Sequence, residues 1–391
     1  MNTLFINARV ILQERVISNG AVRVADGVIK GIYENEYTIM PEDNIIDAKG
    51  LYLSPGFIDV HVHGGGGGYF MSADQKQIDS VCKMHLSHGT TSMTPSLSTA
   101  PKEMLMNAMN AVNEYEKSET KRPNFLGFHL EGPYLSPKAC GAMPEGYLRH
   151  PDREEYMSLV EKYPNIVRWG LAPELPGAIE MIQELNLRKI RTSIAHSDAL
   201  FEESMSAYEA GAQCVTHFYS LTSSVRRINA YRYAGTVELA YLLDDMCVEV
   251  IADGKHLPAS LLKLIYKIKG ADRIMLVTDS ISAGGWETME GDAFSQTGMP
   301  IIIEDGVAKL PSRQSFAGSI ATTDRVVRTM MNLAGVSVND AVKMATATPA
   351  KHLGVFNKKG SISVGKDADL LLFDDDIRIK AVYLAGKEVL V

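Results

Sequence analysis

Short apolar runs alternate with amphipathic segments through the middle of the chain, and this alternation constrains the fold more than any other feature. Strands that alternate with helices form a parallel sheet. Eight such runs within about 220 residues predict a closed (β/α)8 barrel of the TIM type rather than an open sheet. The runs are FIDVHVH (57–63), TSMTPSL (91–97), FLGFHLE (125–131), VRWGLAP (167–173), TSIAHS (192–197), CVTHFY (214–219), VEVIAD (248–253) and IMLVTD (274–279).

The two ends of the 391-residue chain carry a different pattern. Residues 1–54 and 356–391 contain alternating apolar positions, as in TLFINARVIL and IKAVYLAGKEVLV, with Asp-Gly and Ala-Gly turns. This pattern is typical of antiparallel strands. We therefore predict that both termini combine into one small β-sandwich domain beside a barrel of residues 55–355. After the eighth run, MPIIIEDGVAKLP predicts a hairpin, and two helices are expected at about 322–334 and 338–352.

Composition and charge exclude some classes of partner. The net charge of −8 argues against a general nucleic-acid binder. No stretch is long and apolar enough to span a bilayer, and the opening MNTLFINARV does not resemble a signal peptide. The cysteines, Cys82, Cys140, Cys214 and Cys247, are scattered without metal-type pairs, which suits a reducing compartment. We predict a cytoplasmic protein with no nucleic-acid or membrane partner.

Residues of metal-ligand type end five of the eight runs. In a barrel of this type the chemistry lies at the carboxyl ends of the strands. Imidazole and carboxylate groups are the ligands of catalytic zinc or iron, and alternate residues such as His61 and His63 share one side of a strand. The sequence therefore predicts one or two divalent metal ions, zinc or iron, at the mouth of the barrel. The candidate ligands and acid are His61, His63, Glu131, His196, His217 and Asp279.

Each of these residues also has an ordinary structural interpretation. A single histidine at a strand end is more often hydrogen-bonded within the protein than bound to a metal. Asp279 could cap a helix, and Glu131 could begin a turn. Six such residues ending five strands favour the metal site for the set as a whole. Other histidines are interpreted as structural, namely His85, His88, His129, His150 and His352.

Several short motifs occur in the order found in the N-acetylglucosamine-6-phosphate deacetylase family of the amidohydrolase superfamily. They are GFIDVHVHGG, HLEGPY, AHSDA, TH, IADGKH, VTDS and FAGS, and the C-terminal GSISVGKDADLLLFD extends the resemblance through nearly the whole chain. HLEGP together with IADGKH resembles the deacetylase branch, whereas the HxH pair marks only the superfamily. The resemblance implies a (β/α)8 barrel with a β-sandwich, a homodimer, and a phosphorylated amino sugar as substrate.

The resemblance also implies roles for individual residues. Glu131, His196 and His217 would bind one metal ion, His61 and His63 would hold a second, and Asp279 would be the catalytic acid and base. The implied reaction is metal-assisted hydrolysis of the acetamide of N-acetylglucosamine 6-phosphate to glucosamine 6-phosphate and acetate. Substrate contacts would come from Ala142, His256, Phe316, Ala317 and Gly318.

Two stretches depart from the family pattern. Met143 stands where a substrate-contacting histidine is expected, and a thioether cannot donate that hydrogen bond. Ser220 and Leu221 replace an Asn-Ala pair on the phosphate side. Arg226 or Arg227 would supply the arginine that reaches the phosphate in the neighbouring subunit, unless both are solvated surface residues. The glycine run after His63 is a further source of N–H groups for phosphate.

These departures leave a second substrate open, because a related enzyme could deacylate another N-acyl amino sugar such as the galactosamine epimer. A dihydroorotase- or hydantoinase-like enzyme is disfavoured, since the fourth run ends GLAPE without the lysine that many such enzymes carboxylate. A base deaminase is disfavoured by HLEGP and IADGKH. A non-catalytic scaffold is disfavoured because the full set of ligand residues is present.

Overall fold

A computed structural model describes residues 2–389, and a parallel barrel occupies the middle of that part of the chain. Each of its strands pairs with the next in sequence order. This arrangement confirms the predicted (β/α)8 barrel. The barrel strands in residues 2–389 are Phe57–Val62, Thr90–Ser98, Phe128–Glu131, Ile166–Leu171, Arg191–Ile194, Cys214–Val215, Cys247–Val250 and Ile274–Leu276.

The first and last barrel strands meet at their carboxyl ends, which closes the barrel there. The N–H of Asp279 donates to the carbonyl of His61 at 2.9 Å, and the N–H of His63 donates to the carbonyl of Ser280 at 3.0 Å. The HxH segment is therefore fixed beside the end of the last strand.

Helices cover the outside of the barrel between successive strands. Asp74 and Asp152 cap two of them, because each carboxylate accepts backbone N–H bonds from the first helical turn. The helix predicted at 338–352 is present as two short helices. The α-helices of the described residues are Gln75–Ser87, Lys102–Glu116, Arg153–Lys162, Ala178–Leu187, Phe201–Ala210, Thr236–Leu242, Ala259–Lys269, Thr323–Thr329, Val338–Met344 and Ala347–His352.

Strands from both termini form one mostly antiparallel sheet beside the barrel, which confirms the small β domain. Tyr52–Pro55 from the N-terminal part pairs with Leu370–Phe373 from the C-terminal part and joins the two ends. The sheet strands within residues 2–389 are Asn2–Ile11, Val16–Ala25, Val28–Tyr33, Asp43–Asp47, Tyr52–Pro55, Leu370–Phe373, Ile379–Leu384 and Lys387–Val389.

The strand Leu370–Phe373 shows why the two termini come together. Leu371 and Phe373 pack into the core of the barrel, whereas Leu370 and Leu372 pack into the core of the small domain itself. Because alternate residues face opposite sides, both faces of this strand exclude water. We propose the domain boundaries 1–54 with 356–391, and 55–355; residues 1, 390 and 391 lie outside the described residues.

Two insertions interrupt the barrel pattern. A hairpin of Arg226–Ile228 and Tyr231–Tyr233 follows the sixth barrel strand. A small sheet of Gly291–Phe294, Pro300–Glu304 and Val307–Lys309 follows the eighth and includes the predicted hairpin. No helix within residues 2–389 combines the length and apolarity needed to cross a membrane.

Candidate active site

The structure brings the six predicted ligand-type side chains together at the mouth of the barrel, where all are buried. They form two groups, and within each group the ligand atoms lie within 4.8 Å of one another. The groups are His61, His63 and Asp279, and Glu131, His196 and His217.

Glu131 lies between the two groups. Its Oε1 is 3.0 Å from Nε2 of His217 and 3.2 Å from Nε2 of His196. Its Oε2 is 3.1 Å from Nε2 of His63, which is itself 3.1 Å from Nε2 of His61. One carboxylate therefore borders both groups.

The four histidines of this cluster all have an acceptor beside Nδ1. Carbonyl and carboxylate oxygens only accept hydrogen bonds, so each Nδ1 carries a hydrogen, and Nε2 is the nitrogen that is left to bind either a proton or a metal ion. The four Nε2 atoms converge with two carboxylates on one centre, which fits a divalent cation. The four contacts are His61 Nδ1 to Glu249 Oε2 at 2.9 Å, His63 Nδ1 to the carbonyl of Ser96 at 3.2 Å, His196 Nδ1 to the carbonyl of Ala139 at 2.9 Å, and His217 Nδ1 to the carbonyl of Ser220 at 3.0 Å.

Three of the ligand-type residues have a left-handed backbone, which is rare outside glycine. The φ angle is 46° at His196, 27° at His217 and 48° at Asp279. Such a conformation costs about 1–3 kcal/mol and persists where the surrounding structure holds it, which is common at functional sites. Each residue lies just beyond a barrel strand, so the strained turn aims its side chain into the centre.

The carboxylates and imidazoles of the cluster change one another's pKa. Burial lowers the pKa of His63, but hydrogen bonds with Asp279 and Glu131 outweigh burial and raise this pKa to about 9. Burial opposes ionisation of Glu131, but the positive charge of His61 and a hydrogen bond from His196 hold its pKa well below the usual range. The carboxylates are therefore anionic beside positively charged imidazoles. A divalent cation bound at the same imidazole nitrogens would supply that positive charge in place of the protons.

A buried ion pair supports the site, and sequence analysis missed it. Arg168 and Glu249, on the fourth and seventh barrel strands, are fully buried and paired. Oε2 of Glu249 accepts from Nδ1 of His61 at 2.9 Å and from the N–H of His217 at 3.2 Å. Burial opposes its ionisation, but the Arg168 charge holds the pKa of Glu249 well below its ordinary value. In the sequence, the ion pair was indicated only by a charged residue inside each of two apolar runs, VRWGLAP and VEVIAD.

A pocket of about 300 Å³ opens over the ligands. Arg226 and Arg227 do not line it: Arg226 pairs with Asp198, and Arg227 is exposed on its hairpin. Within residues 2–389, the pocket wall contains no arginine or lysine. The predicted substrate-binding residues that do line the pocket are Ala142, Ser220, Leu221, His256, Phe316, Ala317 and Gly318.

His256 is held in the pocket wall by Asp253, a residue that sequence analysis did not single out. Asp253 accepts a hydrogen bond from Nδ1 of His256 at 2.7 Å and from its backbone N–H at 2.8 Å. Burial opposes ionisation of Asp253, but the bonds from His256 lower its pKa. The imidazole packs on the ring of Phe316 with 4.5 Å between centroids, so its orientation is fixed from both sides.

The two departures from the family pattern have clear structural consequences. Met143 lines the pocket, and its Sδ accepts a hydrogen bond from the hydroxyl of Ser98 at 2.9 Å. This position therefore offers a sulfur atom in place of an N–H donor. Ser220 uses its backbone carbonyl to accept from Nδ1 of His217. Its contribution to ligand geometry therefore comes from the main chain.

The glycine run forms the seam that closes the barrel and does not present free N–H groups to a phosphate, so that part of the prediction is wrong. The N–H groups of Gly64, Gly66 and Gly67 donate to backbone carbonyls within residues 280–284 at 2.8–2.9 Å. Side chains are excluded here by close packing. A Cβ at Gly68 would lie 2.4 Å from the carbonyl oxygen of Gln77.

Comparison with known proteins identifies the family. The amidohydrolase family model matches residues 52–389. This chain belongs to the amidohydrolase family. It is 32% identical over 375 residues to N-acetylglucosamine-6-phosphate deacetylase of Bacillus subtilis, covering 95% of this chain and 92% of that protein. It is 29% identical to N-acetylgalactosamine-6-phosphate deacetylase of Escherichia coli O157:H7, covering 97% of each chain.

Solved structures extend the similarity to the whole fold. The crystal structure of N-acetylglucosamine-6-phosphate deacetylase from Pasteurella multocida superposes with a TM-score of 0.91 at 28% identity, covering 100% of both chains. A Mycobacterium smegmatis deacetylase in complex with N-acetyl-D-glucosamine-6-phosphate gives a TM-score of 0.91 at 26% identity over 100% of both chains. The protein is thus an amidohydrolase, an enzyme of a metal-dependent family that hydrolyses amide bonds.

Proposed function

We propose that this protein hydrolyses the acetamide of N-acetylglucosamine 6-phosphate to glucosamine 6-phosphate and acetate. The observation that carries the proposal is the convergence of four imidazoles and two carboxylates below a pocket of about 300 Å³. A pocket of this size accommodates a small ligand such as an amino sugar. The substrate class is supported by the deacetylases that the chain resembles along nearly its whole length.

We propose zinc or iron as the metal, in one or two ions. Glu131, His196 and His217 would hold one ion, and His61 and His63 with Asp279 would hold the other. A divalent cation bound there supplies Lewis acidity and lowers the pKa of water towards ~7.

Asp279 is the proposed acid and base. Burial opposes its ionisation, but the charge of His61 and a hydrogen bond from His63 lower its pKa, so the carboxylate is anionic and can act as the base. An amine leaves poorly unless it is protonated, so Asp279 returns that proton to the leaving nitrogen. His256, oriented by Asp253, supplies a substrate contact from the pocket wall.

An acetate-release assay tests this function directly. The substrates are N-acetylglucosamine 6-phosphate, its galacto epimer and the two unphosphorylated sugars. We expect the gluco phosphate to react fastest and Asp279→Asn to lower kcat by about 10²–10⁴-fold. No acetate from the gluco phosphate, with turnover of another compound, would overturn the named substrate.

The galactosamine epimer is the second candidate substrate. It is supported by the similarity to the Escherichia coli O157:H7 N-acetylgalactosamine-6-phosphate deacetylase and by the thioether of Met143 in the pocket wall. Faster release from the galacto phosphate in the same assay would select this candidate.

We also propose a cytoplasmic homodimer. The pocket has no arginine or lysine of its own among the described residues, whereas a phosphate needs donors such as arginine. Arg227 is exposed on a hairpin together with Tyr231, which is 73% exposed. This hairpin is suited to pack on a second copy and bring Arg227 to its pocket. The cytoplasmic location is supported by the free cysteines of the described chain.

A further inference from the structure

The small sheet after the eighth barrel strand brings Gln296 to His63. The side-chain amide nitrogen Nε2 of Gln296 lies 2.8 Å from Nδ1 of His63. Gln296 sits in the turn between Gly291–Phe294 and Pro300–Glu304, and it also lines the pocket. A side chain from outside the barrel therefore touches one of the predicted metal ligands.

The turn that carries this amide is braced on two sides. The N–H of Ser295 donates to the carbonyl of Met299 at 2.8 Å, which closes the turn. The hydroxyl of Tyr69 donates to the carbonyl of Phe294 at 2.9 Å, which ties the turn to the glycine run. The contact between Gln296 and the imidazole is thus held by fixed backbone.

The neighbours of His63 decide which end of the amide faces it. Nδ1 of His63 lies 3.2 Å from the carbonyl oxygen of Ser96, so Nδ1 carries a hydrogen. An Nδ1–H cannot accept a hydrogen bond from the amide N–H, so the amide is assigned with its oxygen towards His63. With the nitrogen turned towards the ring, two donors would face each other.

This assignment leaves the other ring nitrogen free for a cation. Nε2 of His63 lies 3.1 Å from Oε2 of Glu131 and 3.3 Å from Oδ1 of Asp279. We propose that Gln296 is a positioning residue for His63, whose amide oxygen fixes the Nδ1–H form and so directs the Nε2 lone pair to the cation position formed by His61, His63 and Asp279. This inference rests on the proposed metal-dependent function.

Metal titration of three variants tests the role of Gln296. Gln296→Leu removes the acceptor, Gln296→Glu keeps one, and Gln314→Leu is a matched control because Gln314 lines the same pocket. Metal-stripped protein is titrated with Co²⁺ and Zn²⁺ against a competing chelator, and the visible absorption of the Co²⁺ form reports the ligand set. Thermal unfolding of the stripped variants checks that each is folded.

We expect wild type and Gln314→Leu to bind two equivalents with the same affinities. Gln296→Leu should keep one equivalent unchanged and bind the other about 10–100-fold more weakly, whereas Gln296→Glu should stay close to wild type. Equal binding by Gln296→Leu and wild type, with either one or two equivalents, would overturn the proposal. So would equal weakening in the Leu and Glu variants. The titration uses no sugar, so a failed acetate-release assay would reject the substrate without affecting this result.

Discussion

Glu249 illustrates how a single buried residue can serve two partners. It accepts a hydrogen bond from His61, which orients a predicted metal ligand, and it neutralises the fully buried Arg168. Removing only the carboxylate charge leaves the guanidinium buried without a counter-ion, which costs about 3–5 kcal/mol. The single variant Glu249→Gln therefore mixes a stability effect with any effect on the metal site.

A double variant separates these two effects. Arg168→Met with Glu249→Leu removes both charges at similar volume, so most of the stability should return. Nδ1 of His61 nevertheless loses its acceptor, and we expect its metal ion to bind about 10–100-fold more weakly. Urea unfolding measures the first quantity and chelator competition the second. Unchanged metal affinity in the double variant would mean that Glu249 serves only Arg168.

At the scale of elements, the insertions of the barrel determine what surrounds the ligands. The sheet after the eighth strand supplies Gln296 to the pocket wall. The hairpin after the sixth strand instead directs apolar side chains to solvent: Tyr231 is 73% exposed, and Val225, which precedes the hairpin, is 55% exposed. An exposed cluster of this kind beside an active site is typical of an interface.

Tyr231→Asp tests whether this hairpin forms the proposed dimer. A carboxylate buried at the interface without a partner opposes association, so we expect sedimentation to change from the mass of two chains to that of one. Activity on the phosphorylated sugar should fall when the dimer is lost, if Arg227 of one chain contacts the phosphate in the pocket of the other. Leu187→Asp is the matched control, because Leu187 is 82% exposed on an outer helix. A dimer that persists in Tyr231→Asp would place the interface elsewhere.

At the scale of the whole molecule, buried histidines link stability to pH. Burial lowers the pKa of His85 to about 4 and that of His352 to about 3, compared with about 6.5 in an unfolded chain. Below about pH 6.5 the unfolded chain binds these protons and the folded chain does not. The contribution of these two histidines to the free energy of unfolding is therefore largest above that pH, and it falls as the pH decreases to about 4 for His85 and about 3 for His352.

His352→Leu tests this dependence. Each such histidine contributes up to about 1.4 kcal/mol per pH unit in its window, so the variant should lose less stability than wild type between about pH 6.5 and about pH 4. Urea unfolding at several pH values gives the slope. His150→Leu is the control, because His150 is exposed. Its free energy of unfolding should change with pH in parallel with that of wild type. Parallel curves for His352→Leu would contradict the assignment.

The sequence by itself determined the parts of this protein that depend on local pattern. The eight runs and their alternation with helices predicted the barrel, since periodicity reports which face of each element is buried. Strand-end placement predicted the six ligand-type side chains, because parallel strands all end at the same face of a barrel. That HxH places both imidazoles on one side followed from the two-residue period of a strand.

Only the tertiary structure decided which distant residues complete the site. Gln296 lies 233 positions after His63 in the chain and Glu249 lies 188 after His61, and no local periodicity links such pairs. The left-handed turns at His196, His217 and Asp279 exist because surrounding contacts hold them against their own strain. The hydrogen bonds of the glycine run to residues 280–284 likewise depend on how the barrel closes, which no local pattern in the sequence reports.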